Sequence, residues 1–344
     1  MREGWEYKKF ENCIVKSPKL KQVKKEAYNN GSQYPIISQE EKFISGYCDD
    51  ESIVCHIDRP IVVFGDHTRV LKYIDFDFVV GADGVKVIIP IKNIDSKFLL
   101  YFLQWYNIPN LGYSRHYKLL KDIIVPIPHC TTQKTIVSEL DKLNELIRIK
   151  KEQLKDYDIL AQSIFYEMFG DPVENEKGWE VKKFGDLFKL KSGDGLSSKD
   201  FKTGIYPVYG GNGISGYHNS FNMKGCYIII GRVGVYCGNV RKVDGEFWLT
   251  DNAFRLIYKE NEQNPFFILY LLNILDLHQY ANAAAQPVIS NLTLKSIDVP
   301  LPPLSLQQSF AHKIEQIERQ KAEVQKTITD LETLLAARMQ YWFD

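Results

Sequence analysis

Two stretches of the chain, residues 131–170 and 304–344, carry apolar residues at steps that alternate between four and three. This spacing predicts helices with a continuous apolar seam, and no proline or glycine interrupts either seam. Because the seams share one heptad frame at an offset of 174 residues, the pattern favours a coiled coil over two unrelated amphipathic helices lying on their own domains. The predicted seam residues are Ile136, Leu140, Leu143, Ile147, Leu154, Phe310, Ile314, Ile317, Ile328, Leu331 and Leu335.

Outside these helices, short apolar runs alternate with loops rich in glycine, asparagine and proline, which is typical of β-strands. Short helices are predicted around residues 97–105 and 265–275. Each β-rich part ends in the tetrapeptide VPxP, whose prolines end a strand and favour an extended connection to the long helix. The clearest strand candidates are PIVVFG (60–65), CYIIIG (226–231) and GEFWLT (245–250).

Sequence landmarks recur in the same order 174 residues later, which indicates a tandem duplication. They are GWEYKKF (4–10) with GWEVKKF (178–184), KDIIVPIP (121–128) with KSIDVPLP (295–302), Gln133 with Gln307, and Phe169 with Phe343. The predicted fold class is therefore α+β: two β-rich α/β domains, each followed by a long helix, with the helices paired as an antiparallel coiled coil about a pseudo-two-fold axis. The predicted boundaries are 1–130 for the first domain, 131–170 for the first helix, 171–303 for the second domain and 304–344 for the second helix.

Composition favours a folded protein outside the membrane. Of the 344 residues, 44% are hydrophobic and 13% aromatic, which is ample for two cores. The longest apolar run, FFILYLLNIL (266–275), is too short for a membrane span and is interrupted by Asn273. The N-terminus shows no secretory pattern, and the six cysteines form no CxxC pair. We therefore expect a soluble, cytoplasmic protein.

Charge gives no strong indication of nucleic-acid binding, because 43 basic residues balance 43 acidic ones. A basic footprint is usual in proteins that bind nucleic acid. Here the basic residues form only local clusters, and a chain of this kind would lack a strong phosphate grip of its own. The clusters are KSPKLKQVKK (16–25), RHYKLLK (115–121) and GNVRK (238–242).

The sequence shows no recognisable catalytic or metal-binding constellation. An amino-methyltransferase would need Asn/Asp-Pro-Pro-aromatic, and the nearest string, NPFF (264–267), lacks the second proline and begins a predicted helix. SGDGLSS (192–198) contains neither GxGxxG nor a P-loop lysine. The seven histidines are scattered without HExxH. We therefore expect a non-catalytic chain without a metal or cofactor of its own.

Several motifs nevertheless resemble the specificity (S) subunit of type I restriction–modification systems, over essentially the whole chain. The resemblance implies two target-recognition domains, each reading one half of a bipartite DNA sequence, with the two helices acting as a ruler between them. The motifs are MFGDP (168–172), GWEVKKFGDLFKLKSG (178–193), YPVYGGNGISGY (206–217), IIIGRVGVYCGNV (228–240), WLTDNAFRL (248–256) and VPLPPLSLQQ (299–308).

The same resemblance implies partners for the chain. These are double-stranded DNA, two modification (methyltransferase) subunits that use S-adenosylmethionine, and restriction subunits with translocase and nuclease activity. Two alternatives remain open. One is an S-like subunit of a methylation-only or other phage-defence system, and the other is a duplicated protein adaptor that uses the coiled coil alone.

Loops rich in Asn, Arg, Gln, Tyr and His supply the candidate base contacts, since these side chains pair with base edges in the major groove. Glycines beside them, such as Gly211 and Gly231, are expected to form turns or to let the backbone approach a phosphate. The first domain departs from the family pattern, because it has YPIISQEEKFISGY (34–47) in place of the YGGNG motif. The candidates are Asn212, Tyr217, His218, Arg232, Tyr236, Asn239, Arg241 and Gln286 in the second domain and His67, Thr68, Arg69, Arg115, His116 and Lys118 in the first.

Overall fold

The computed structural model describes residues 2–17, 20–29, 33–82, 84–112, 114–259, 263–282 and 287–344. The chain divides into two compact units. Unit 1 is formed by Met1–Lys151 with Lys326–Asp344, and unit 2 by Glu152–Gln325. Each unit therefore contains one β-rich globular part together with segments of both long helices.

The first half of the chain contains ten strands and three helices within its described residues. The third helix is one of the two long helices and is 40 residues long. The strands are β1 Glu6–Lys9, β2 Ile14–Val15, β3 Tyr34–Ile37, β4 Gly46–Cys48, β5 Val54–Cys55, β6 Ile61–Gly65, β7 Leu71–Ile74, β8 Phe78–Val80, β9 Val85–Pro90 and β10 Ile124–Ile127. The helices are α1 Ser96–Tyr106, α2 Tyr117–Leu120 and α3 Cys130–Phe169.

The second half repeats these elements and adds one short helix. Its long helix is also 40 residues long. The strands are β11 Glu180–Lys183, β12 Phe188–Ser192, β13 Tyr206–Gly210, β14 Gly213–His218, β15 Met223–Lys224, β16 Tyr227–Gly231, β17 Val240–Val243, β18 Glu246–Leu249, β19 Ala253–Tyr258 and β20 Asp298–Leu301. The helices are α4 Phe184–Leu187, α5 Pro265–Ile274, α6 Asn291–Lys295 and α7 Leu304–Phe343.

The sheets of the two units match strand for strand. Unit 1 has the orders β1-β10, β2-β9-β6-β7 and β4-β3-β8-β5, and unit 2 has β11-β20, β12-β19-β16-β17 and β14-β13-β18-β15. Even the parallel pair β3–β8 recurs as β13–β18. The tandem duplication predicted from the sequence is therefore a duplication of the whole topology.

Equivalent hairpins also keep the same register. Pro35 of β3 lies opposite Tyr47 of β4, and Pro207 of β13 lies opposite Tyr217 of β14. The segment YPIISQEEKFISGY is thus the structural counterpart of YPVYGGNGISGY, although its turn is two residues longer. The hairpin frame is common to both units, and its tip differs.

Each hydrophobic core is completed by the ends of both long helices. In unit 2, Phe165 and Phe169 near the end of α3 pack on Phe310 near the start of α7, with ring centroids 5.6 and 5.3 Å from that of Phe310. In unit 1, Phe343 at the end of α7 packs on Phe98 of α1 at 5.5 Å. Burial of such large rings contributes about 1.5–3 kcal/mol each, so the helix ends are part of the globular cores.

A buried glutamine fixes the start of α3 in unit 1. The side chain of Gln133 is 1% exposed. Its Oε1 accepts from the backbone N–H of Asp95, the N-cap of α1, at 2.8 Å, and its Nε2 donates to the carbonyl oxygens of Asn93 and Pro128 at 2.9 Å. One amide therefore joins the VPxP segment, the start of α1 and the first turn of the long helix.

Gln307 repeats this arrangement in unit 2, where it is also 1% exposed. Its Oε1 accepts from the backbone N–H of Asn264 at 3.0 Å, and its Nε2 donates to the carbonyl oxygen of Pro302 at 2.9 Å. Asn264 is the N-cap of α5. The string NPFF (264–267) is thus a helix cap, as the sequence analysis indicates.

The long helices pair in antiparallel fashion inside each unit. In unit 1, Arg338 of α7 pairs with Glu139 of α3, whereas Glu332 pairs with Lys151 further along α3 at 2.7 Å. The hydrogen bond from Arg338 holds the pKa of the Glu139 carboxyl below its usual value. In unit 2, Asp158 pairs with Lys321 at 2.7 Å, and the Phe165–Phe310 contact lies further along α3 and nearer the start of α7.

The fold prediction is confirmed in its class, its two long antiparallel helices, its short helices and its main strands. Every predicted seam residue is buried or half-buried. At the start of each long helix, however, the seam packs into the globular core as well as against the other helix, as Ile136 and Leu140 do in unit 1. Among the described residues, no helix is long and apolar enough to cross a membrane.

We predict that Gln307→Leu destabilises unit 2 by about 1–3 kcal/mol, because it leaves the half-buried Asn264 N–H and the buried Pro302 carbonyl without their partner. The midpoint of urea unfolding measures the change. Gln320→Leu, an exposed position on the same helix, is the matched control and should change stability by less than about 0.5 kcal/mol. Equal midpoints for the two variants would show that the buried amide does not hold the helix in place.

Candidate nucleic-acid interface

Three turns of unit 2 are held together by direct backbone packing. A Cβ atom on Gly211 would lie 2.5 Å from the carbonyl oxygen of Val233, and a Cβ atom on Gly231 would overlap the carbonyl oxygen of Gly211. The backbone N–H of Arg232 donates to the carbonyl oxygen of Asn252 at 2.9 Å, which joins the β18–β19 turn to the same group. These two glycines therefore serve close contact between turns of the protein itself.

Arg232 lies at the centre of this group with its guanidinium incompletely bonded. The guanidinium carbon is 5.3 Å from the ring centroid of Phe254, on which it stacks. Its Nη1 makes only long contacts, 3.5 Å to Ser192 Oγ and 3.4 Å to the carbonyl oxygen of Asp251. Its Nε is buried and has no acceptor among the described residues. A buried donor without a partner costs about 1–3 kcal/mol. The side chain as a whole is half-buried, and its Nη1 has room for a closer acceptor than the two it contacts.

The other candidates of unit 2 differ in position and exposure. Tyr217 on β14 and Tyr236 in the loop after β16 are more than half exposed. Asn212 in the β13–β14 turn and Arg241 on β17 are exposed and line one open cleft of about 1030 Å³. Asn239 is half-buried at the end of the loop that contains Tyr236. Asn212, Tyr236 and Asn239 thus lie on turns and loops, whereas Tyr217 and Arg241 lie on strands.

The burial of His218 contradicts the prediction that this residue contacts bases. Its side chain is 6% exposed, and its ring lies edge-on to Trp248 with centroids 5.4 Å apart. Its Nδ1 accepts from the backbone N–H of Lys202 at 3.1 Å. Because the ring is buried and hydrogen-bonded inside the unit, it stabilises the loop before β13. The candidate Gln286 lies outside the described residues.

His116 of unit 1 is also buried, and its assignment to base contacts is wrong for the same reason. It is 0% exposed. Its Nε2 accepts from the backbone N–H of Leu111 at 3.1 Å, and its Nδ1 lies 2.9 Å from the carbonyl oxygen of Asp66, to which it donates. The buried carboxylate of Asp66 in turn accepts from the backbone N–H of Tyr117 at 2.8 Å. His116 and Asp66 therefore join the loop after β6 to the segment before α2.

The remaining candidates of unit 1 differ in how exposed they are and in whether they are already hydrogen-bonded within the unit. Arg115 and Lys118 are exposed beside the buried His116. Arg69 is half-buried with a positive φ of 64°, and its Nη1 donates to the carbonyl oxygen of Ile108 at 2.9 Å, so it is engaged within the unit. Thr68 is exposed, although its hydroxyl donates to the carbonyl oxygen of Gln39 at 2.6 Å, and His67 is half-buried beside it.

Sequence reasoning missed Lys72 on β7, which is only 4% exposed. Burial lowers the pKa of its ammonium group below the usual lysine value. The alternation in LKYI, where positions two and four face the core, is the signal that could have placed this lysine inside. It occupies the strand position that Arg241 occupies on β17, because β7 and β17 are equivalent strands.

Among the described residues, no group of three or more His, Cys, Asp and Glu side chains is placed to hold a metal ion. In each unit, the exposed candidates instead present amide, guanidinium, hydroxyl and ammonium groups on loops and strands. Such groups are suited to hydrogen bonding with base edges and phosphates.

The family comparison agrees with this arrangement. The model of the type I restriction modification DNA specificity domain matches residues 2–156 and 176–333, once in each half of the chain. The chain therefore belongs to the family of type I restriction–modification DNA specificity proteins.

Individual relatives cover less of the chain. A type I restriction enzyme EcoprrI specificity subunit from Escherichia coli is 30% identical over 139 residues, which is 39% of this chain and 34% of the relative. A type I restriction enzyme MjaIX specificity subunit from Methanocaldococcus jannaschii is 28% identical over 141 residues, 34% of this chain and 33% of the relative. The matched region thus spans about a third of the length of these curated relatives.

Solved structures match over nearly the full length and support the fold. The S subunit of a type I restriction–modification system from M. genitalium aligns with a TM-score of 0.61 at 16% identity, covering 99% of this chain and 96% of that one. A structure described as the basis of complex assembly and conformational transition of the type I R-M system aligns with a TM-score of 0.57 at 14% identity, covering 98% of this chain and 97% of that one.

We predict that Gly231→Ala destabilises unit 2 by about 1–3 kcal/mol, because the added methyl group forces apart two turns that are in backbone contact. Gly195→Ala is the matched control, since no atom lies within 4 Å of the added Cβ there. Thermal unfolding of the two purified variants measures the difference. If Gly231→Ala unfolds at the same temperature as the control, the turns are not held by this contact.

Proposed function

We propose that the chain is the sequence-specific DNA-recognition subunit of a type I restriction–modification complex. Each globular part reads one half of a bipartite target, and the paired helices set the spacer between the halves. Family membership in both halves of the chain and the strand-for-strand repetition of the two units support this proposal. It follows that unit 1 and unit 2 have separate half-sites.

The observation that carries base reading in unit 2 is the guanidinium of Arg232. It is stacked on Phe254, is half-buried rather than fully buried, and its Nη1 makes only long contacts of 3.5 and 3.4 Å within the protein. Arginine pairs with the O6 and N7 atoms of guanine through two hydrogen bonds. A guanidinium held in place before binding loses little side-chain entropy when it forms them. We therefore assign guanine recognition in the second half-site to Arg232.

The charge balance of the chain and its family together suggest which partners it needs in order to bind DNA. A chain with equal numbers of acidic and basic residues supplies little of the phosphate attraction that dominates DNA affinity. We propose that two modification subunits, with S-adenosylmethionine as their cofactor, supply this attraction and the methyl transfer, and that restriction subunits join the same cytoplasmic complex. The chain itself acts without catalysis. A nuclease gene beside the modification gene distinguishes this system from a methylation-only one.

We predict that Arg232→Ala and Asn239→Ala each relax base preference in the second half-site by about 1–3 kcal/mol and leave the first half-site unchanged. The measurement is a genome-wide map of methylated adenines in cells that express the variant with its modification subunit. Arg255→Ala is the matched control, since Arg255 is also half-buried and stacked, on Tyr227 at 5.9 Å, but lies within β19.

The control should keep the wild-type motif even where total methylation falls. Relaxed preference in both half-sites of the Arg232 variant would contradict the assignment of one half-site to each unit. An unchanged motif in that variant would show that Arg232 does not read a base.

A further inference from the structure

The β3–β4 hairpin of unit 1 has the same frame as the β13–β14 hairpin but a longer and more polar tip. Residues 38–43, SQEEKF, take the place of residues 210–213, GGNG. Glu41 and Lys42 at this tip are exposed, and Phe43 is 46% exposed with its ring 6.1 Å from that of Phe76. None of the base-contact candidates predicted from the sequence lies in this tip.

The tip is held from below by the buried ammonium of Lys72. Its Nζ donates to the carbonyl oxygens of Ser38 at 3.0 Å, Lys42 at 2.6 Å and Phe43 at 3.3 Å. In the described part of the chain, no carboxylate lies within ion-pair distance of it. Removing a charge from water without a counter-ion is costly, and all three acceptors belong to this one tip. The three hydrogen bonds that offset the burial of the ammonium group therefore all fix this one turn.

Gln39 ties the same tip to the loop after β6. Its Oε1 accepts from the backbone N–H of His67 at 3.2 Å, and its carbonyl oxygen accepts from the Thr68 hydroxyl at 2.6 Å. A Cβ atom on Gly84 would lie 2.6 Å from Gln39 Oε1, and a Cβ atom on Gly65 would overlap the Thr68 hydroxyl. Two glycines therefore make room for this connection, and the tip and the loop form one rigid surface.

The geometry points to residues 40–43 of this tip as the base-reading element of unit 1, with Glu41 accepting a hydrogen bond from the exocyclic amino group of cytosine in the first half-site. The inference rests on the proposed function, since it presumes that unit 1 reads DNA. Beyond that function, the inference specifies Glu41 as the reading residue and cytosine as the base.

The chemistry of the tip selects Glu41 over its neighbours. Glu40 is engaged by Lys25 at 2.9 Å, and its backbone N–H donates to Ser38 Oγ at 3.1 Å. Within the described residues, the Glu41 carboxylate forms no ion pair and is exposed. An ionised carboxylate only accepts hydrogen bonds and is repelled by phosphates, so its favourable partner on DNA is a base amino group, and the amino group of cytosine is the usual one.

Lys72 is a positioning residue for this contact. It does not itself contact DNA. It keeps the Lys42 and Phe43 carbonyls turned inward, which directs the side chains of the tip outward. Arg241, at the same place on β17, has its guanidinium 3.3 Å from where a Cβ on Gly213 would lie. Both units therefore place a cation from this strand against the hairpin turn, but only unit 1 buries it.

Methylated-adenine mapping of cells that express each variant with the modification subunit tests the inference. Glu41→Ala should lower the preference for cytosine at one position of the first half-site by about 5- to 150-fold, the range that one base contact supplies. Glu41→Gln should shift that position toward adenine, because glutamine pairs with the N6 and N7 atoms of adenine. Glu51→Ala, an exposed carboxylate in the same unit, is the control and should keep the motif.

Lys72→Met removes the three donors at nearly constant length. It should relax the same position of the first half-site, leave the second half-site unchanged, and speed hydrogen exchange in residues 40–43 relative to β6. A general loss of stability would instead lower methylation at all sites without changing the motif. If Lys72→Met does not fold, the two Glu41 variants carry the test.

The experiment distinguishes a failure of the proposed function from a failure of the inference about the tip. Wild-type cells without any bipartite methylation motif would overturn the proposed function itself. A wild-type bipartite motif that stays unchanged in both Glu41 variants would overturn the inference about the tip and leave the proposed function standing.

Discussion

The buried side-chain amides of Gln133 and Gln307 are the interaction on which the rest of the structure depends. Each amide bonds the first turn of a long helix to the start of a short helix and to the VPxP segment of the same unit. A helix anchored by one apolar contact could rotate about its axis. A helix whose glutamine amide both accepts and donates a hydrogen bond is held in one orientation. The direction of each long helix from its globular part is therefore fixed by hydrogen bonds.

The duplication separates a constant framework from variable tips. Strand order, hairpin register and the amide anchors are repeated in both units. The turns at the ends of the hairpins are ordered by different means: glycines in backbone contact in unit 2, and a buried lysine with Gln39 in unit 1. A framework that tolerates different tips can present different hydrogen-bonding groups without refolding, which is what two distinct half-sites require.

The sequence predicts the framework well because periodicity encodes it. The seam residues, the short helices and the repeat at 174 residues follow from patterns that span many positions, so no single residue decides them. The candidate site is harder to predict from the sequence, because the burial of a single polar side chain depends on neighbours that are distant in sequence. His116 lies in the loop before α2 and His218 ends β14, and tertiary contacts bury both. The alternation in LKYI indicates that Lys72 faces the core, but its three carbonyl partners and the partnerless N–H of Arg232 are visible only once the strands are assembled.

The central claim, that paired helices set the gap between two half-sites, is tested most directly by lengthening both helices. One heptad inserted after Glu152 and another after Lys326 keep the seams in frame and add about 10 Å at 1.5 Å per residue. This equals roughly three base pairs at about 3.4 Å each. With folding confirmed by circular dichroism, mapping should show weaker methylation at unchanged half-sites separated by about three more base pairs. Full methylation at the original spacing would contradict the account.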